Sequence, residues 1–131
     1  MLEKMRDRGE IPKFASISNP IDLTGSVTAD MIVKVTEIVY NDVKVDGIIL
    51  LGLHHVPGLQ EDYVDGIASI VQGRSKPLVA CDIGETEMAL YIRGKFEKFG
   101  IPAYASPEEA AYTMSALCNY GEYLSQFGKG K

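Results

Sequence analysis

Two adjacent histidines, His54 and His55, lie in a short segment with a glycine at each end, Gly52-Leu-His-His-Val-Pro-Gly58. An imidazole can donate a hydrogen bond to a phosphate, accept a phosphoryl group or bind a metal ion. Adjacent side chains point in different directions, so the pair lacks the i, i+4 spacing of a helical metal site. Of these three roles, the residue types favour a hydrogen bond to phosphate over a phosphoryl acceptor, and they predict no metal. The alternative that both are ordinary turn residues stays open.

The elements on either side of this segment explain why a ligand could bind there. Ile48–Leu51 is an unbroken apolar run, typical of a strand covered on both faces, and Gly52 ends it. After Gly58, apolar residues recur at helical spacing and predict an amphipathic helix that starts near Gly58. A strand, a turn and an amphipathic helix form the first half of a βαβ unit. In βαβ units, ligands bind beyond the C-terminal end of the strand, at the N–H groups of the next helix. The inward residues predicted for this helix are Leu59, Tyr63, Val64, Ile67, Ile70 and Val71.

A second candidate loop is Asn19-Pro-Ile-Asp-Leu-Thr-Gly-Ser26. Pro20 keeps the preceding residue out of the helical region, and the Thr-Gly-Ser end is rich in backbone and hydroxyl donors. One interpretation is a surface loop that leads into the next helix, with Thr28 as its N-cap. The other is an anion-binding loop. The candidate phosphate ligands in this loop are Asn19, Thr24, Gly25 and Ser26.

Composition limits the classes of protein that the sequence fits. Its 131 residues predict a single domain, in which 1–13 are a helical lead-in and 128–131 a frayed tail. The net charge of −5 argues against a nucleic-acid partner. No run reaches the roughly 18 apolar residues of a membrane span. Cys81 and Cys118 lie far apart and predict buried, reduced thiols in a cytoplasmic protein.

The remaining periodicity predicts one helix followed by three strand–helix pairs. Helices are expected over about 28–42, 58–73, 86–99 and 106–127, and strands over 47–51, 78–82 and 101–105. Ser106-Pro-Glu-Glu109 has the residues of a capping box at the start of the last helix. This order predicts an α/β, three-layer, flavodoxin-like fold with a short parallel sheet. The inward residues expected in the last two helices are Met88, Ile92, Phe96, Phe99, Ala110, Met114, Leu117 and Leu124.

Two acids, Asp82 and Glu85, follow the second strand at the same end of the sheet as the histidine segment. Carboxylates in this position could organise a metal–phosphate site. More often, acids in this position belong to the first turn of the next helix, where they interact favourably with the helix dipole. Cys81 lies beside them, and its default interpretation is a buried thiol rather than a nucleophile.

Four motifs follow one another along the chain: Asn19-Pro-Ile-Asp-Leu-Thr-Gly-Ser26, Val45-Asp-Gly-Ile-Ile-Leu50, Lys76-Pro-Leu-Val-Ala-Cys81 and Phe99-Gly-Ile-Pro-Ala-Tyr-Ala-Ser-Pro-Glu-Glu-Ala-Ala111. In this order they resemble the ligase-CoA domain of ADP-forming acyl-CoA (acetate–CoA) synthetases, and more distantly the C-terminal domain of the succinyl-CoA synthetase β subunit. The resemblance covers about residues 14–120. The family converts acyl-CoA, ADP and phosphate to acid, CoA and ATP through a phosphohistidine.

The resemblance implies a domain or subunit that presents a helix N-terminus at Gly52–Gly58 to phosphate, with the Asn19–Ser26 loop beside it. It also implies an interface with other subunits. The family's Ser-His-Thr-Gly acceptor motif is absent from this sequence. The chain alone is therefore expected to be inactive and to bind no cofactor by itself. CoA, ATP or ADP and magnesium belong to the complete enzyme, with its CoA-binding and ATP-grasp partners. The alternative is a non-catalytic flavodoxin-like binding or assembly module.

The resemblance also implies that the family's first strand–helix unit is missing, which would leave the strand 47–51 at a sheet edge. An exposed apolar edge favours pairing with another chain. The segment Phe14–Ile17 could fold back over this edge, or a second copy could cover it. Because Pro12 and Pro20 limit the donors of the lead-in, a homodimer is the favoured prediction.

Overall fold

A computed structural model describes residues 1–54, 56–73 and 75–127 of the chain. The chain divides into two compact units, Met1–Asp46 with Leu53–Arg74, and Gly47–Gly52 with Ser75–Lys131, called here the first and the second unit. The elements in chain order are α1 (Leu2–Asp7), α2 (Ala29–Tyr40), β1 (Ile48–Gly52), α3 (Tyr63–Ile70), a 3₁₀ turn (Val71–Gly73), β2 (Leu78–Asp82), α4 (Glu87–Lys98), β3 (Ala103–Tyr104) and α5 (Pro107–Phe127).

The first unit is built on the packing of α2 against α3. Thr28 caps α2, as predicted, because its hydroxyl accepts the N–H of Met31 at 3.3 Å. The two helices approach closely at Gly66, where a Cβ would lie 2.6 Å from Cγ2 of Val33. A glycine at this position therefore lets the helices pack. One cluster of buried residues in this unit joins α1, the segment after it and α2; its members are Met5, Ile11, Ala15 and Val35.

Helix α3 begins at Tyr63, so the prediction of a helix starting near Gly58 is wrong. The carbonyl of Gly58 accepts the N–H of Ala29 at 3.1 Å, and the N–H of Leu59 donates to the carbonyl of Val56 at 2.9 Å. These turn and long-range hydrogen bonds replace the first helical turns. Leu59 is nevertheless buried, because an irregular segment can continue the apolar side of the following helix.

The second unit contains a parallel sheet in the order β1-β2-β3, which confirms the predicted α/β class. Every residue of β2 is buried, as expected for a central strand with both faces covered. Helix α5 covers the face that carries Val79 and Cys81, through Ala110 and Met114. In the part of the chain that the structure describes, no helix is long and apolar enough to cross a membrane.

Several predicted core positions in α4 and α5 are wrong. Ile92 and Phe96 are buried, but Met88 and Phe99 are 50% and 45% exposed because they lie to one side of the buried stripe. Leu117 and Leu124 are 41% and 48% exposed, and Cys118 is exposed as well. The 21 residues of α5 extend over about 31 Å, whereas a five-residue strand extends over about 17 Å, so the helix outruns the sheet.

Strand β1 forms an edge of this sheet within the described residues. Its apolar run is only partly covered, since Ile49 and Leu51 are 39% and 53% exposed. Ser16, from the segment considered as a cover, forms an isolated antiparallel bridge with Asp22. A homodimer through β1 and the single-domain description of residues 1–131 remain predictions.

Candidate functional site

The Asn19–Ser26 loop is held together by its own polar groups. The Oδ1 atom of Asp22 accepts the N–H of Thr24 at 2.7 Å, and the Oγ1 atom of Thr24 accepts the N–H of Ser26 at 3.4 Å. Thr24 has a φ of 66°, in the left-handed region that β-branched residues rarely adopt. The backbone N–H groups of Thr24 and Ser26, two of the candidate donors, are thus used inside the loop, and the carboxylate of Asp22 lies beside them. This geometry is that of a loop leading into α2; Gly25 and Asn19 are exposed at its surface.

Gly58 lies against the end of this loop, at the N-terminus of α2. A Cβ at Gly58 would lie 2.6 Å from the carbonyl oxygen of Val27 and 3.3 Å from Cγ2 of Thr28. The hydrogen bond from Ala29 to the carbonyl of Gly58 fixes the same contact. The structure therefore brings together the end of the histidine segment and the end of the 19–26 loop, the two segments that the family resemblance implies to be neighbours.

The N-terminus of α3 differs from an anion site in two respects. Its first N–H groups, those of Tyr63 and Val64, donate to carbonyls of the preceding turn at 3.3 Å. Three acidic residues surround this helix start: Glu61, Asp62 and Asp65. Since carboxylates already interact with the positive end of the helix dipole there, an added anion would be repelled. Any phosphate contact of this segment must come from the turn before α3.

The remaining candidates from the histidine segment, Gly52 and His54, belong to different units. Gly52 ends β1 in the second unit, is buried and is in register with Asp82 of β2. His54 is half-buried and belongs to the first unit. His55 lies outside the described residues.

Among residues 1–54, 56–73 and 75–127, no group of three or more His, Cys, Asp or Glu side chains could hold a metal ion.

Arg93, a buried cation in α4, fixes the loop after β2. One guanidinium nitrogen, Nη1, donates to the carbonyl of Asp82 at 2.8 Å and to that of Gly84 at 2.5 Å. The other, Nη2, lies 3.4 Å from the exposed carboxylate of Glu85. Of the two acids considered from the sequence, Asp82 is the last residue of β2 and is fully buried, and Glu85 lies in the loop after it. We call this arrangement the Arg93 clamp.

The Arg93 clamp was not predicted from the sequence, although a signal for it was present. Arg93 lies on the stripe of α4 that also contains Ala89, Ile92 and Phe96, all of which are buried. An arginine on the apolar side of a helix must find acceptors when it is buried. Carbonyls at the end of the neighbouring strand are the acceptors that the structure supplies.

Cys81 is buried in β2, which confirms that part of the cysteine prediction. Burial raises the pKa of its thiol, and the negative charge of Asp82 raises it further. A raised pKa leaves less thiolate at neutral pH, so the site is unlike that of a nucleophilic cysteine.

No family model matches the chain. The chain is 31% identical over 126 residues to the alpha subunit of acetate–CoA ligase [ADP-forming] I from Pyrococcus furiosus, and 29% identical over 120 residues to that of ligase II from the same organism. These matches cover 88% and 84% of the chain, respectively. The fold matches a dinucleotide forming acetyl-coenzyme A synthetase 1 from Ca. Korarchaeum cryptofilum in complex with phosphate and ADP. That match has a TM-score of 0.80 and 29% identity, over 95% of this chain and 27% of the other.

The fold and the similarity together define the class of domain: a mixed α/β domain with a three-stranded parallel sheet, as found in an acetyl-CoA synthetase. The chain is homologous to the alpha subunit of ADP-forming acetate–CoA ligase, which confirms the resemblance seen in the sequence. It spans about a quarter of the length of these curated relatives, 25% in each case.

Proposed function

We propose that this chain is a domain or subunit of an ADP-forming acyl-CoA synthetase, which converts acyl-CoA, ADP and phosphate to acid, CoA and ATP. The observation that carries the proposal is the similarity over most of the chain to alpha subunits of acetate–CoA ligases, supported by the fold match. CoA, ATP or ADP and magnesium would be bound by the complete enzyme. The CoA-binding and ATP-grasp parts would be its partners, in the cytoplasm.

Within that enzyme, the segment Gly52–Gly58 contacts phosphate and the 19–26 loop supports it. The contact of Gly58 with Val27 and Thr28 supports this arrangement, because it joins the two segments. The phosphate donors are backbone N–H groups of the turn and the imidazoles, since the first turn of α3 uses its own N–H groups. The proposed phosphate contacts are Gly52, His54, His55 and Gly58, with Asn19, Thr24, Gly25 and Ser26 in the supporting loop.

A phosphate titration followed by amide NMR shifts tests this contact. Millimolar phosphate should shift the amides of the 52–58 segment, since backbone donors and imidazoles bind anions. His54→Ala should weaken the binding several-fold. Gln60→Ala is the matched control, because this exposed side chain in the same turn only donates to the carbonyl of Pro57. No shifts, shifts confined to other loops, or equal effects of both variants would contradict the proposal.

The isolated chain should form no ATP from acetyl-CoA, ADP and phosphate. Phosphoryl transfer depends on positioning and on stabilising charge around the transferred group, and one domain without the Ser-His-Thr-Gly acceptor motif supplies neither. ATP formation above a no-protein control would overturn the assignment of roles. Genes for a CoA-binding subunit and an ATP-grasp subunit beside this one would favour the enzyme over the alternative of a non-catalytic assembly module.

A further inference from the structure

The C-terminal half of α5 is exposed on all sides, yet it carries little charge. Every residue from 115 to 127 is exposed, and Glu122 is the one charged side chain among them. Three aromatic rings and two leucines lie in this stretch, and each is between 41% and 67% exposed. Exposed helix surfaces normally carry many charges, so a helix surface with one charge and this many exposed large apolar residues indicates an interface. The large apolar residues are Leu117, Tyr120, Tyr123, Leu124 and Phe127.

Four of these residues form a narrow seam along the helix. Leu117, Tyr120, Leu124 and Phe127 follow one another at steps of three, four and three residues, which is the a/d spacing of paired helices. At about 100° per residue, Glu122 lies on the side of the helix opposite the middle of the seam. The one charge of the segment is thus at the position that a second helix would leave in water.

The seam is symmetric about residue 122. Leu117 and Phe127 lie five residues before and after it, and Tyr120 and Leu124 lie two residues before and after it. We propose that residues 115–127 of α5 pair in antiparallel orientation with the same segment of a second copy of this chain. A two-fold axis at residue 122 places Leu117 on Phe127 and Tyr120 on Leu124, each twice. An interface of this kind is self-complementary, as closed dimers require.

The exposed area suits a weak dimer. An aromatic side chain offers roughly 150–250 Å², and more than half of each ring is exposed. With the two leucines, the seam and Tyr123 can bury on the order of 500 Å² per copy, or about 1,000 Å² in total, at the lower limit of specific interfaces. This surface is distinct from the β1 edge considered from the sequence, and the proposal does not depend on the reaction that the complete enzyme performs.

Sedimentation equilibrium of the full chain from about 1 to 200 micromolar tests the pairing. The chain should dimerise within this range, and Leu124→Glu should weaken the dimer at least tenfold. Gln126→Glu adds the same charge to the same helix, away from the seam, and should leave dimerisation unchanged. Circular dichroism checks that both variants keep their helix content. A monomer at every concentration, a dimer insensitive to Leu124→Glu, or equal loss in both variants would overturn the proposal.

Cross-linking tests the orientation of the two helices. In a Cys118→Ser background, Leu117→Cys and Phe127→Cys are made as separate variants and mixed. An antiparallel pair gives disulfides between the two variants and few within either one. Disulfides mainly between identical positions indicate a parallel pair and overturn the proposed geometry.

Discussion

The Arg93 clamp leads to a stability prediction that can be worked out from the structure. Arg93→Met keeps the apolar stem of the side chain and removes the donors to the carbonyls of Asp82 and Gly84, 2.8 and 2.5 Å away. A hydrogen bond from a charged donor contributes about 1.5–3 kcal/mol, and the remaining carbonyls need new partners. The Glu85 pair adds little, since that carboxylate is 73% exposed. We expect the free energy of unfolding to fall by about 3 kcal/mol.

Urea unfolding followed by circular dichroism measures this loss. Arg8→Met is the matched control, because its guanidinium is 71% exposed and lies 3.6 Å from Glu10. That variant should lower the free energy of unfolding by less than about 0.5 kcal/mol. Equal effects of the two substitutions would refute the reasoning, because the clamp would then contribute no more than a surface ion pair.

Two further predictions test the first unit and the cysteines. Gly66→Ala should lower the free energy of unfolding by about 1 kcal/mol, since overpacking against Val33 exceeds the gain in helix propensity. Gly94 has open space around it, so Gly94→Ala should raise the free energy of unfolding by about 0.5–1 kcal/mol. Thermal unfolding compares the two variants, and destabilisation by both would contradict this prediction. In native protein at pH 8, iodoacetamide should modify the exposed Cys118 and spare the buried Cys81, whose pKa is raised by burial, as peptide mass analysis can show. Rapid modification of both thiols would be inconsistent with a packed β2.

Local sequence signals predicted the boundaries of several elements correctly. Ser106 caps the start of α5, as the capping box predicts, because its hydroxyl accepts the N–H of Glu109 at 3.3 Å. Thr28 caps α2 in the same manner. The strand predicted over 78–82 is β2, with the same bounds. In each case the residues that decide the structure are neighbours in the chain.

Features that depend on distant residues were not predictable in this way. The start of α3 is displaced because Gly58 bonds to Ala29, a contact that the periodicity of residues 58–73 does not contain. Leu117 and Leu124 have core-like spacing, but spacing shows only that a helix has an apolar side and not what covers it. Of the candidate site, the meeting of Gly58 with the end of the 19–26 loop was anticipated from the family resemblance, whereas the Arg93 clamp was missed.

The central claim, that this chain serves as a domain of an ADP-forming acyl-CoA synthetase, is tested most directly by domain replacement. The homologous quarter of the alpha subunit of acetate–CoA ligase II from Pyrococcus furiosus is exchanged for this chain, and the hybrid is assayed with the remainder of that enzyme. A deletion of the same quarter and a replacement by an unrelated flavodoxin-like domain serve as controls. We expect ATP formation from acetyl-CoA, ADP and phosphate by the hybrid and none by either control. A folded hybrid that forms no more ATP than the deletion variant would contradict it.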